Sequence, residues 1–270
     1  MNFRPMTVSE LQERMRSLPH LVDNDEPHSW HHRRYSLREQ VLQGDMDNFM
    51  NWSTMQAAIT SGPRWFSEEE WNSLPRKFQV AAQDSMLGNP EPLPFARNST
   101  ANYCTLAYHL YQWERETGRR IEDCERIVEF GGGFGGMPVV AIKLGFRGEW
   151  WSYDLPEVAL IQEWYLTNLH IHGIRYCPVV DESFPSPPEH CDLLIACHSL
   201  SEVPPSLQES FLGAVNTDAY LFTYGPRYLY YQNLPAHFRD IALKMADFEW
   251  EFLNPFEHRN YAIGWKEREE

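Results

Sequence analysis

Nowhere in this 270-residue chain is an apolar run long enough to cross a bilayer, which takes about 20 residues. Met1-Asn2-Phe3-Arg4-Pro5 carries no apolar leader core either, so the expected location is cytoplasmic. Cysteine is sparse: the five residues (104, 124, 177, 191, 197) form no C-x-x-C pair and read as reduced, buried thiols. Basic residues are few. The 23 Lys and Arg face 38 Asp and Glu, a formal charge of −15, with no basic cluster. Phosphate contacts supply most nucleic-acid affinity, so neither a nucleic acid nor an anionic membrane is the expected partner. No internal repeat or low-complexity segment is present. Neither His28, His31 and His32 nor His170 and His172 have the spacing of a shared metal face, and metal dependence stays open.

The chain does have ample apolar material, 43% hydrophobic and 14% aromatic with ten Trp, enough for a sizeable core. It divides near residue 95. Helical pieces over about 7–17, 36–59, 67–74 and 75–86 come first, Ser67 capping an acidic first turn at Glu68-Glu69-Glu70. Pro90-Glu91-Pro92-Leu93-Pro94 breaks the pattern as a linker. Residues 1–95 are expected to form a helical cap over the substrate side, with a homodimer interface as the competing role. Residues 96–270 follow as an α/β domain, led by a helix over 99–118.

Ile127 to Gly136 is the most informative stretch. An apolar run ends in Glu129-Phe130, turns through glycines, and resumes as a helix at Met137. Glycine lets the chain bend sharply and bring backbone N–H groups close to a ligand. The next strand-like run, Glu149 to Tyr153, stops at Asp154, placed to accept hydrogen bonds from two ribose hydroxyls. Gly131, Gly133 and Gly136 also satisfy a dinucleotide fingerprint. Glu129 separates the two readings, because a carboxylate beside the turn repels a pyrophosphate and attracts an ammonium or sulfonium.

With Glu129-x-Gly131-x-Gly133-x-Gly135 and Asp154, the chain resembles the class I S-adenosylmethionine-dependent methyltransferases from about Arg120 onward. Asp154-Leu155-Pro156, together with His198-Ser199-Leu200-Ser201-Glu202-Val203-Pro204, is similar to a family of sugar O-methyltransferases. The resemblance implies S-adenosylmethionine as cofactor and assigns Leu155, Asp181, Ser183, Phe184 and His198 to its surroundings, with Asp181 toward the adenine amino group and Phe184 over the ring. It also implies a Rossmann-like seven-stranded sheet, parallel with a C-terminal antiparallel hairpin. The residues agree. Further strands read at 174–180, 191–197 and 219–224, a helix at about 232–246, and two last strands at 248–252 and 260–265. The loop between those two is too short for a crossover helix, so they should pair antiparallel.

Methyl transfer is an in-line displacement at the sulfonium carbon, so acceptor and methyl must be aligned and water excluded. An alcohol acceptor benefits from a general base, expected beyond the carboxyl ends of the strands. His198 and Glu202 fall there and are the catalytic candidates. Tyr103, Tyr224 and Arg227 are candidates for contact with a small-molecule substrate. Three readings stand: O-methylation of a small hydroxylated metabolite, with carboxyl-, N- or C-methylation as variants; a nicotinamide-dependent oxidoreductase, disfavoured by Glu129 and the terminal hairpin; and a methyltransferase-like subunit without turnover.

Overall fold

The computed structural model describes residues 4–21, 30–59, 66–226, 228, 230–256 and 259–267. The helices are α1 (Val8–Ser17), α2 (Trp30–Gln43), α3 (Ser53–Ala58), α4 (Glu68–Ser73), α5 (Arg76–Ala81), α6 (Ala101–Thr117), α7 (Gly136–Lys143), α8 (Pro156–Asn168), α9 (Pro205–Ala214) and α10 (Leu234–Lys244). The strands are β1 (Arg126–Phe130), β2 (Glu149–Asp154), β3 (Ile174–Pro178), β4 (Leu193–Cys197), β5 (Ala219–Tyr224), β6 (Glu249–Phe256) and β7 (Arg259–Trp265).

All seven strands join one sheet in the order β3-β2-β1-β4-β5-β7-β6. Pairing is parallel from β3 across to β5 and antiparallel at β5–β7 and β6–β7. The central strands β4 and β5 are buried almost throughout, as expected of parallel strands shielded on both faces. Burial along β6 is only partial. Pro255 is tolerated there because β6 is an edge strand and needs no donor on its outer side.

The chain forms two compact units. One holds Met1–Tyr108, Gly133–Leu144 and Leu155–Gly173; the other holds His109–Gly132, Gly145–Asp154 and Ile174–Glu270, with the whole sheet. In the sheet unit, Val128, Phe130, Tyr153, Leu194 and Phe222 of the strands pack with Leu207 and Phe211 of α9 and Phe238 and Ile241 of α10. In the helical unit, Glu157 of α8 is fully buried and held by two arginines of α2. Arg34 Nε donates to it at 2.7 Å, and Arg38 donates to its other oxygen. Arg14 of α1 pairs with Glu163 of α8 at 2.7 Å.

Several expected boundaries move. The helix expected over 36–59 starts at Trp30, so His31 and His32 are helical, and it stops at Gln43. Gly44 turns left-handed there (φ +87°) and a 3-10 stretch, Met46–Asn51, intervenes before α3. The third strand ends at Pro178 because Val180 and Ser183 close a tight reversal by exchanging hydrogen bonds, both 2.8 Å. Cys191 lies outside β4 and makes a single bridge to Thr217. Most of the expected terminal loop is strand, since β6 runs on to Phe256 with a register irregularity between Leu253 and Phe256.

Candidate cofactor and acceptor site

Strand register brings the candidate residues of the sheet unit to one edge. Phe130 pairs with Tyr153, Glu129 with Ile195 and Cys197 with Thr223. Gly131, Asp154, His198 and Tyr224 thus lie at or just past the carboxyl ends of four neighbouring parallel strands. Parallel topology collects them, because every crossover returns the chain to the opposite edge before the next strand begins.

Glu129 sits in the last turn of pleat before that edge and is 4% exposed. Its Oε2 accepts a hydrogen bond from Trp150 Nε1 at 3.1 Å, from the neighbouring strand. Loss of water pushes its carboxyl up to about 8, and the charge of Asp154 pushes the same way against the Trp150 N–H. Among the described residues, no basic side chain forms an ion pair with it. Burying a carboxyl without a countercharge is costly, and a cationic ligand arriving beside it would remove that cost.

Gly131 makes the turn possible. Its φ is +76°, its N–H donates to the Tyr153 carbonyl at 2.7 Å, and an added Cβ would lie 2.2 Å from the Ser199 Cβ. The Ser199 hydroxyl donates to the Phe130 carbonyl, so the turns after β1 and β4 touch almost backbone to backbone. Gly133 and Gly135 continue in the helical unit with φ +57° and +93°. Gly135 is the left-handed cap of α7, where a Cβ would press on Leu166 at 3.2 Å.

Asp154, half-buried, is the last residue of β2, and its carbonyl accepts from Val179 N–H at 2.8 Å. Leu155 caps α8, whose first residue is Pro156. Asp181 and Glu182 both adopt positive φ (46° and 62°) inside the reversal that Ser183 closes. Phe184 lies edge-on to Phe211 at 5.1 Å and to Tyr153 at 6.4 Å.

His198 is exposed and left-handed, φ +67°, immediately after β4. Its N–H donates to the Thr223 carbonyl at 2.8 Å, and its own carbonyl accepts from Ser201 N–H at 3.1 Å. A non-glycine residue in that region stores strain and persists only where the surroundings impose it. Glu202 ends the 3-10 turn Ser199–Glu202, ahead of α9. The tyrosines behave differently. Tyr103 is fully buried in the helical unit with its hydroxyl 2.7 Å from that of Tyr165. Tyr224 is stacked on Phe238 at 4.2 Å and takes a hydrogen bond on its carbonyl from Asn260 at 3.2 Å. Arg227 lies outside the described residues.

One group near this edge carries no signal in the sequence. His109 on α6 is buried, with Nδ1 2.8 Å from the Tyr261 hydroxyl. Burial holds its imidazole well below the usual histidine range, and the charges of Arg259 and His198 act the same way. His109 looks like one more helix position, and its neighbours come from β7 and the turn after β4, far along the chain.

The seven-stranded sheet, parallel from β3 to β5 with an antiparallel terminal hairpin, is the arrangement expected from the sequence. Solved structures similar to it include a S-adenosylmethionine-dependent methyltransferase from Aquifex aeolicus, at 13% identity and TM-score 0.45, with 58% of this chain and 90% of that one covered. A candidate RNA methyltransferase from Pyrococcus horikoshii is similar at 15% identity and TM-score 0.49, covering 72% and 98%. Human N-acetylserotonin methyltransferase, solved in complex with S-adenosylmethionine, is similar at 16% identity and TM-score 0.39, covering 60% and 56%. No protein family and no curated protein sequence matches the chain.

Proposed function

We propose that this chain is a S-adenosylmethionine-dependent methyltransferase acting on an oxygen of a small hydroxylated metabolite. The observation that carries the reading is Glu129: a buried, uncompensated carboxyl at the carboxyl edge of the sheet, with Asp154 beside it. Glu129 would hold the cofactor's ammonium and sulfonium, gaining the missing countercharge, and Asp154 would accept its ribose hydroxyls. A dinucleotide would bring two phosphate charges toward two carboxyl groups, which Coulomb repulsion penalises.

The bound cofactor would supply the methyl to the acceptor oxygen, the C–S electrons returning to sulfur and the acceptor's proton leaving to a base. His198 is the group proposed to take that proton. It follows the central strand β4, it is exposed, and its backbone is held in a strained left-handed conformation. Glu202 is proposed to orient it or to bind a substrate hydroxyl. Net charge −15 disfavours a nucleic-acid acceptor, but one of the similar folds is named for RNA, so RNA belongs among the acceptors tested.

The test is calorimetric titration with S-adenosylmethionine, its demethylated product, NAD(H) and NADP(H), followed by incubation of loaded protein with labelled methyl donor, a small-metabolite extract and RNA. Saturable binding of the first two, with label entering a small hydroxylated compound, is expected. Tighter binding of a nicotinamide dinucleotide ends the reading, and label in RNA moves the acceptor class.

A further inference from the structure

The opposite, amino edge of the same sheet holds a second constellation that methyl transfer does not use. His190, Asp192 and Asp218 each bring one ligating atom to within 4.8 Å of the others. His190 and Asp192 precede β4, and Asp218 precedes β5. His190 Nε2 and Asp218 Oδ1 are 3.1 Å apart, close to the separation of two neighbouring ligands on one ion when each bond is about 2.1 Å.

The cluster is preorganised by backbone. One oxygen of Asp192 accepts from the N–H groups of Glu125 at 2.8 Å and Arg126 at 2.7 Å. Its other oxygen takes no hydrogen bond among the described residues. Arg126 also donates to the His190 carbonyl at 2.7 Å. The starts of β4 and β5 are tied by Cys191 N–H to the Asn216 carbonyl, 3.0 Å, and Asp218 N–H to the Cys191 carbonyl, 3.2 Å. Ligands already oriented by neighbours need little ordering when an ion binds.

Two further observations point to a guest. A cavity of about 470 Å³ opens onto Asp192 and Asp218. Trp113 lines it, fully buried, with an indole N–H that has no acceptor among the described residues. A cation is already drawn there, since the Lys266 ammonium lies 3.8 Å from Asp218 Oδ1. Lys266 can leave, because its side chain is part exposed and its ammonium also lies 5.0 Å from the centre of the Phe248 ring.

We propose that His190, Asp192 and Asp218 form a binding site for a divalent transition cation of the zinc type at the amino edge of the sheet, completed by water from the adjoining cavity. One imidazole with two carboxylates suits Zn²⁺ better than Mg²⁺ or Ca²⁺, which prefer all-oxygen shells. Binding replaces the His190–Asp218 contact and displaces Lys266, and it clamps the start of β4 to that of β5. The site is independent of the methyltransferase reading and lies at the edge away from the cofactor residues.

Titration of the full chain with Zn²⁺ alone, by calorimetry, tests this. One saturable site is expected, with a rise in melting temperature that grows with metal concentration. His190→Gln and Asp218→Asn should each weaken binding at least tenfold while melting normally without metal, since neither removes a backbone contact. Asp192 is left intact because it ties two backbone N–H groups. Lys266→Met should bind Zn²⁺ several-fold more tightly, having lost the competing ammonium, whereas a merely self-satisfied charge cluster would give no gain. No saturable binding in the parent, or equal binding in His190→Gln, overturns the proposal.

Discussion

Glu129 is where a single residue sets the behaviour of the site. Its carboxyl is pushed up to about 8 by burial, with Asp154 acting the same way. The ordinary value for an unfolded glutamate is lower, so the ionised form costs folding stability. That contribution is intact below the unfolded value and is lost as pH rises through about 8. Cofactor-free protein should therefore melt at lower temperature at pH 8.5 than at pH 5.5, by a margin that shrinks in Glu129→Gln. Affinity for S-adenosylmethionine should run the other way, strengthening toward pH 8 as the carboxylate forms and levelling above it. Titrations across that range in parent and Glu129→Gln check both trends; a flat parent profile would remove Glu129 from cation binding. For His198 the choice of substitution matters, because alanine is strained at φ +67°. Asparagine tolerates that region. His198→Asn should keep cofactor affinity within a few-fold and lower kcat by roughly 10²–10⁴ once the acceptor is in hand. Near-parental kcat would transfer the base role elsewhere.

Among the elements, the turn after β1 is the least replaceable. Gly131→Ala meets a left-handed backbone and a Cβ contact of 2.2 Å with Ser199; moving the β1 turn away breaks the Gly131 N–H to Tyr153 bond, and moving the β4 turn away breaks the Ser199 hydroxyl to Phe130 bond. A loss of about 1–3 kcal/mol is expected, read as an earlier urea midpoint together with lost cofactor binding. If Gly131→Ala melts and binds as the parent does, the close approach of the two turns is not required. At this scale the sequence is legible where a local rule governs. The capping boxes at Thr7 and Ser67, the glycine turn and the parallel order of strands all follow from local chemistry. Gly44 interrupting a helical stretch was readable in principle, since glycine ends helices, but the apolar period runs on past it and suggests one helix. The extension of β6 to Phe256 was not readable. Asn254-Pro255 signals a turn, and only the outer position of β6 in the sheet makes Pro255 compatible with strand.

Across the whole molecule, charge is placed unevenly between surface and interior. Most of the 38 acids can be solvated, but Glu157 is fully buried and shared by Arg34 and Arg38. Breaking such a cluster on one side leaves two guanidinium groups uncompensated. Glu157→Ala should cost on the order of 3–5 kcal/mol, seen in chemical denaturation, and replacing both arginines by Met alongside Glu157→Leu should recover much of it. A loss below about 1 kcal/mol in Glu157→Ala would mean the cluster is effectively solvated.

Sequence alone determined the sheet, the glycine turn, the acid at its edge and the absence of a long apolar span, because each rests on the period or spacing of neighbouring residues. Tertiary structure decided what those residues are in chemical terms. Glu129 is a carboxyl poised near neutrality because burial strips its water, with Asp154 pushing the same way and the Trp150 N–H opposing, and Tyr103 is a fully buried hydroxyl whose partner is Tyr165. The His109–Tyr261 pair and the His190–Asp192–Asp218 cluster join residues from different elements, the first pair 152 positions apart. Desolvation and countercharge depend on what surrounds a group in space, and no local pattern in the chain encodes that.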